Sequence, residues 1–336
     1  MTRIASNAPL RAILIAVACF GAAAHAQQKA GERPGDYPTR PVRLLVGNAP
    51  GGGIDITARV VAQKLSERWG HSVIVDNRPG ASGVIAMDLT ARATPDGYTM
   101  LVTAGSLIAS AMVRKRVSFD VRSAYAPVTQ LTSLYYLLLV NASLPVKSVK
   151  DLLELGKSKP GSLNYGSSGV GGAGHLAGAL FSHLSGVRMT HVPYKGGGLV
   201  LADLISGQIQ LGFTSPISGM PHIRSGRLKA LAVTNTRRAK AFPDLPTIVE
   251  AGVPGFELVN WYGLFAPAGT PPAVVRAVHG YVSQDLNTLE VQDMFAKDGA
   301  EAVPSGSPAE FGNLLAKEID IWRKFVKMPG FAEGLQ

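Results

Sequence analysis

Apolar positions along this chain fall into short runs of strand length and longer stretches at helical spacing, and glycine marks many of the changes between them. Residues 42–46 read as an apolar strand. A turn over 47–53 follows, and then Ile54, Ala58, Val61 and Leu65 recur at helical spacing, with Asp55 in the first turn where an acid favours the helix dipole. The design recurs later as a strand over 163–165, a glycine-rich turn over 166–174 and a helix from about His175. Each turn leaves the first N–H groups of its helix unpaired at the positive end of the dipole. Glycine there lets a ligand approach the backbone. Two such turns facing each other would form an anion clamp.

The rest of the pattern predicts strands at 72–76 and 98–102 and a helix at 84–93. Long apolar strands are expected over 134–140 and 261–266. Between them lies a complete strand–helix set at 152–158, 163–165, 175–184, 190–193, 199–205, 209–214 and 228–233. This reads as a second domain inserted into the first, with the two long strands as a double crossing. Helices over 273–286, 291–298 and 308–326 return to the first domain. Alternating strands and helices imply an α/β fold with mainly parallel sheets and helices on both faces. The expected division is 1–26 as a leader, 27–133 plus 262–336 as domain 1, and 134–261 as domain 2, with 27–36 a polar lead-in.

The leader has a distinct composition. Arg3 and Arg11 precede and begin an apolar run over 12–24 that ends in Ala24-His25-Ala26, the form of a secretory signal peptide cut after Ala26. The run is too short for a bilayer span. A lipidated Cys19 is the rival reading, but it would cut the apolar core short. Cys19 is the one cysteine, so the mature chain would have no disulfide, thiolate nucleophile or thiolate metal ligand. Export without cysteine suits the bacterial periplasm. The mature chain would have 310 residues, 336 less 26, enough for two domains. Its net charge would fall from +10 to +8 with Arg3 and Arg11, which still suits an anionic ligand. The triplet Arg114-Lys115-Arg116 has no aromatic platform beside it and reads as a solvated turn rather than a nucleic-acid patch.

Catalytic motifs fail one by one. Gly47-x-x-x-x-Gly52 begins like a phosphate loop, but Gly53 and Ile54 stand where lysine and a hydroxyl are needed. Gly169-x-Gly171-x-x-Gly174 matches the dinucleotide fingerprint, yet no acid occurs between Gly174 and Asp203 to hold a ribose. That loop remains a generic anion cradle. Gly166-Ser167-Ser168-Gly169 and Gly80-Ala81-Ser82-Gly83 each miss the nucleophile elbow by one position, so their serines read as helix caps. His175, His183 and His191 step by eight, which is not ligand spacing on one helix, so no metal or cofactor is expected. His175 could meet a ligand or pack under its loop. Lys195 could pair with an anion beside the glycine turn of 196–198, and Asp55 reads first as a cap and second as an acceptor for a ligand.

Together these segments resemble the Bug receptors, the extracytoplasmic solute-binding proteins of tripartite tricarboxylate transporters. The resemblance is carried by YPTRPVRLLVGNAPGGGIDITAR (37–59), VIVDNRPGASGVIAMDLTARATPDGYTML (73–101), YGSSGVGGAGHLAG (165–178), HVPYKGGG (191–198), GRLKALAVT (226–234), LPTIVEAG (245–252) and WYGLFAPAGTP (261–271), in family order. It implies a two-domain clam-shell of the periplasmic binding kind, with a small carboxylate (a dicarboxylate, an aromatic acid or an amino acid) in the interdomain cleft and delivery to membrane permease subunits. No enzymatic activity, no nucleic acid and a monomer are expected. The implied ligand-binding set is Pro50, Gly51, Gly52, Gly53 and Asp55 on one wall, with Ala104 and Ser106 beside them. Facing them are Ser167, Ser168, Gly169 and His175, with Tyr194, Lys195, Gly196, Thr214 and Ser215. Where the family usually has proline after the lysine–glycine turn this chain has Leu199, where an acid often follows the Gly-Gln pair it has Gln210, and Thr214-Ser215-Pro216 is individual. These departures are expected on the second-domain wall. The alternatives are a sensory module for a signalling partner and a periplasmic hydrolase using Ser168 and His175.

Overall fold

Alternation of strand and helix builds two separate sheets. The computed structural model describes residues 37–112, 119–120, 123–297 and 300–325. The leader, the lead-in to residue 36 and the 114–116 triplet lie outside the described residues.

The chain enters the first sheet through β1 (Val42–Val46), α1 (Gly53–Trp69) and β2 (Val73–Asn77). A 3-10 turn over Ala81–Gly83 leads into α2 (Val84–Ala91), then β3 (Thr99–Ala104), α3 (Gly105–Met112) and β4 (Tyr125–Tyr135). It crosses into β5 (Leu137–Asn141), α4 (Val149–Ser158), β6 (Leu163–Ser167), α5 (Ala173–Ser185) and β7 (Met189–Pro193). The second sheet continues with α6 (Gly197–Ser206), β8 (Leu211–Thr214), α7 (Pro216–Arg224) and β9 (Leu228–Val233). The return is β10 (Val259–Pro267), α8 (Pro272–Leu286), α9 (Leu289–Lys297), β11 (Glu301–Ala302) and α10 (Pro308–Phe325). Strand order is β11-β4-β10-β3-β1-β2 in one sheet and β7-β6-β8-β5-β9 in the other.

Three expectations need correction. The sheets are mixed rather than mainly parallel: β1–β2, β1–β3, β6–β7 and β6–β8 are parallel, but β10 runs antiparallel to both β3 and β4, and β5 antiparallel to both β8 and β9. The reason is the double crossing, since strands that arrive from the other sheet enter against the local direction. The apolar run over 134–140 is not one strand. It breaks at Tyr136, with Tyr135 paired in the first sheet and Leu137 in the second. Two helices, α3 and α7, were not predicted; proline at positions 216 and 221 masks the second.

The crossing itself is stapled by one buried hydroxyl. Thr234 Oγ1 accepts from the Tyr136 amide at 2.8 Å and donates to the Leu258 carbonyl at 2.8 Å. The backbone of Thr234 bonds Tyr136 and Leu258 in turn, at 3.0 and 3.1 Å. Thr234 is wholly buried, so both passages between the sheets hang on a single side chain shielded from water.

Candidate functional site

Ligands in open α/β sheets bind beyond strand C-termini, where helices begin. Three helices begin at one cleft here. Gly52 caps α1, Gly196 caps α6 and Ser215 caps α7, none with a side-chain hydrogen bond to the helix start. The cleft is narrow, a cavity of about 30 Å³ lined by Asn48, Gly52, Gly53, Ile54, Tyr136, Ser168, Gly197, Val200, Phe213, Thr214, Ser215, Ser218 and Tyr262. No charged side chain stands among the described lining residues. Asn48 Oδ1 and Thr214 Oγ1 are buried with no protein partner. Tyr262 is wholly buried beside Ser215 and Tyr136, and burial pushes its phenol well above the ordinary range, so it stays a neutral hydroxyl.

The opposing loops meet backbone to backbone. The Ala49 amide donates to the Lys195 carbonyl at 2.8 Å. A methyl on Gly196 would stand 2.6 Å from the Ala49 nitrogen, and one on Gly198 would stand 2.6 Å from the Pro50 carbonyl oxygen. At Gly53 the added carbon would lie 2.6 Å from the Tyr262 hydroxyl and 2.7 Å from that of Ser215. Contacts under 3.0 Å with backbone cannot be relieved by a rotamer change, so glycine at 196 and 198 is a condition of this closure.

Behind the first loop Asp55 is the brace. Its Oδ2 accepts from the Gly51 amide at 3.0 Å and Arg59 Nε at 3.0 Å, and its Oδ1 from Asn77 Nδ2 at 2.9 Å. Burial alone would raise this carboxyl, but the Arg59, Gly51 and Asn77 donors together hold it below the ordinary range. Asn77 also donates to the Asn48 carbonyl at 3.0 Å, tying β2 to the loop. Behind the second loop the brace is aromatic. His175 stacks on His191 at 4.1 Å and His191 on Tyr165 at 4.9 Å. Ser167 Oγ and His191 Nε2 are 2.7 Å apart, and the Gly171 amide donates to His175 Nδ1 at 3.1 Å. Burial, with His175 beside it, pulls His191 down to about 3, so the ring is neutral at physiological pH.

Of the sequence-predicted set, the structure brings Gly52, Gly53, Ser168, Thr214 and Ser215 to the cleft. Pro50, Gly51, Lys195 and Gly196 form its closing seam, with the Lys195 side chain exposed. Asp55, Ser167 and His175 are buried and serve the loops as just described. Gly169 packs against Ser82, while Tyr194 donates to Asp203 Oδ2 at 2.7 Å instead of facing the cleft. Ala104 is buried in β3 opposite Tyr262, and Ser106 lines a different cavity. The hydrolase pairing of Ser168 with His175 finds a different arrangement: the serine at the histidine stack is Ser167, fully buried, and its partner is His191. Leu199 and Gln210 are not on the cleft wall. Leu199 is an exposed position of α6, and Gln210 Oε1 accepts from the Asn164 amide at 2.9 Å. Sequence reasoning missed Asn48, Ile54, Tyr136, Gly197, Val200, Phe213, Ser218 and Tyr262. Tyr136 and Tyr262 were inside runs read only as apolar strands, and their hydroxyls were the available signal.

The described residues hold no group of three or more His, Cys, Asp or Glu able to take a metal ion, and no described helix is long and apolar enough to cross a membrane. The family model described as the tripartite tricarboxylate transporter family receptor matches residues 57–331. Protein BugT of Bordetella pertussis is 33% identical over 296 residues, covering 88% of this chain and 90% of BugT. A solved R. palustris protein with adipate is 36% identical with a TM-score of 0.83, covering 89% of this chain and 98% of that one. MatC from Rhodopseudomonas palustris, with bound malate, is 31% identical with a TM-score of 0.80, covering 86% of this chain and 99% of its own.

Proposed function

The chain belongs to the tripartite tricarboxylate transporter receptor family, and from that premise we propose that it traps a small dicarboxylate between its two lobes and presents it to membrane permease subunits. Family and fold are those of a solute-binding receptor of the clam-shell kind. The observation that carries the ligand class is the convergence of three helix starts on a cleft with no charged side chain among its described lining residues. Helix N-termini hold carboxylates through free N–H groups and the dipole, without a counter-ion. The unpartnered Thr214 hydroxyl supplies a donor, and Asn48 Oδ1 accepts from a ligand hydroxyl or a water. The adipate and malate held by the two solved relatives support a dicarboxylate over a monoacid.

The lobes fall on either side of Tyr136 and the start of β10, and they close where Ala49 meets Lys195. Closure around bound ligand is the hinge motion of such receptors. The leader to Ala26 directs export to the periplasm, where a monomer acts.

Melting of the purified protein with adipate, malate, phosphate and sugars tests this reading. A dicarboxylate at 100 times its dissociation constant adds about 2.7 kcal/mol, read as a rise in Tm with the compound recovered unchanged. No shift with any carboxylate, or steady conversion of one, would overturn it.

A further inference from the structure

Neighbouring residues of a strand send their side chains to opposite faces. On β10, Tyr262 lines the cleft, and Trp261 lines a second cavity of about 450 Å³ that shares no described lining residue with it. The walls of this cavity come from distant parts of the chain: Ser106 at the start of α3, Asn260 and Trp261 on β10, and Leu314, Glu318 and Trp322 on α10.

Its chemistry is unfinished. Ser106 is 3% exposed and Asn260 is 1% exposed. Ser106 Oγ and Asn260 Oδ1 have no protein partner. Asn260 Nδ2 is already committed to the Tyr136 hydroxyl at 3.2 Å, which leaves its oxygen as a free acceptor. Glu318 adds a half-buried carboxyl with no ion pair among the described residues; burial raises it to about 7, against the pull of the Trp261 and Trp322 indoles. Unmet buried acceptors cost free energy until something donates to them. Two indoles and leucine form an apolar body around them. Glu257 and Lys317 are the other charged residues at the described lining, and the Lys317 side chain is exposed.

An anion would face Glu318, and a plain hydrocarbon would leave the acceptors unmet. An ammonium has three donors and no acceptor, and indole faces attract cations. We propose that this cavity is a second binding site, for a small organic ammonium with an apolar or aromatic body, held by Glu318 and the free acceptors Asn260 and Ser106 between Trp261 and Trp322. It stands apart from the carboxylate cleft and does not depend on the reading given to it.

The test is calorimetry, with indole fluorescence as a second readout, on the intact protein and 2-phenylethylamine. 2-Phenylethanol and 3-phenylpropionate carry a similar apolar body with a different head group. The amine binds saturably and at least about tenfold tighter than the alcohol, and the acid does not bind at this site. Glu318→Gln erases the preference for amine over alcohol, and Leu314→Trp, which fills the cavity, abolishes both. Ser106→Val is the second probe and weakens the amine alone. Equal binding of amine and alcohol would overturn the proposal, as would no saturable amine binding. So would amine binding that survives Leu314→Trp in a folded protein.

Discussion

The loop behind the cleft and the second cavity each hold a carboxyl, buried at Asp55 and half-buried at Glu318, and the two are treated in opposite ways. Asp55 meets an amide, a guanidinium and a side-chain amide, and those donors hold it ionised. Glu318 lies between indoles without an ion pair among the described residues, and burial lifts it to about 7. Burial therefore does not decide what a carboxyl does; the donors delivered with it do. The first group is a finished internal brace. The second is left unfinished, which is the mark of a position kept for something other than stability.

The largest break in that contrast is Asp55→Ala. It strips three donors of their acceptor and is expected to cost about 4 kcal/mol, read from denaturant midpoints, with carboxylate binding lost as the loop loosens. Glu318→Gln acts in the other direction. In the unfolded chain this carboxyl titrates near its ordinary 4.5 and in the folded protein near 7, so the unfolded state gives up its proton first and stability falls as pH rises through that window. The glutamine variant is expected to be more stable than the parent by about 3 kcal/mol at pH 8 and equal to it at pH 4, in paired melting curves. A parent protein no less stable than the variant at pH 8 would show that the folded carboxyl titrates in its ordinary range.

Gly196→Val addresses closure alone. Its added atoms meet the Ala49 nitrogen, so the closed form is penalised, and dicarboxylate affinity is expected to fall about 100-fold with Tm of the unliganded protein little changed. Thr214→Val is the smallest change. The hydroxyl has no protein partner, so its loss leaves stability within about 0.5 kcal/mol and weakens the ligand about tenfold by calorimetry. Equal affinity in this variant would remove the hydroxyl from the site.

What the sequence made legible was local. Both glycine turns, the helices behind them and the inserted second set of strands follow from spacing within a few dozen residues. What it hid was assembled at long range or depended on direction. Tyr136 and Tyr262 looked like core residues because apolar runs say nothing of where a hydroxyl points. Asp55 and His175 were recognisable as interesting, but only the donors around them distinguish a brace from a ligand contact. The second cavity joins α3 and α10, and no motif connects them. The antiparallel entry of β5 and β10 follows from crossing between sheets, which strand periodicity does not encode.

The seam of Gly196–Gly198 against residues 49–52 carries a consequence for how such a receptor can diversify. Main chain lies on main chain there, so a side chain at 196 or 198 would wedge the jaws apart before it could discriminate between solutes. Under the proposed function, selection for a new nutrient would work around this seam, through the corner of the cleft lined by Phe213, Thr214, Ser215 and Ser218. On that reading the jaws would supply a grip common to acids of many shapes, and a handful of exchangeable side chains at one corner would supply the taste.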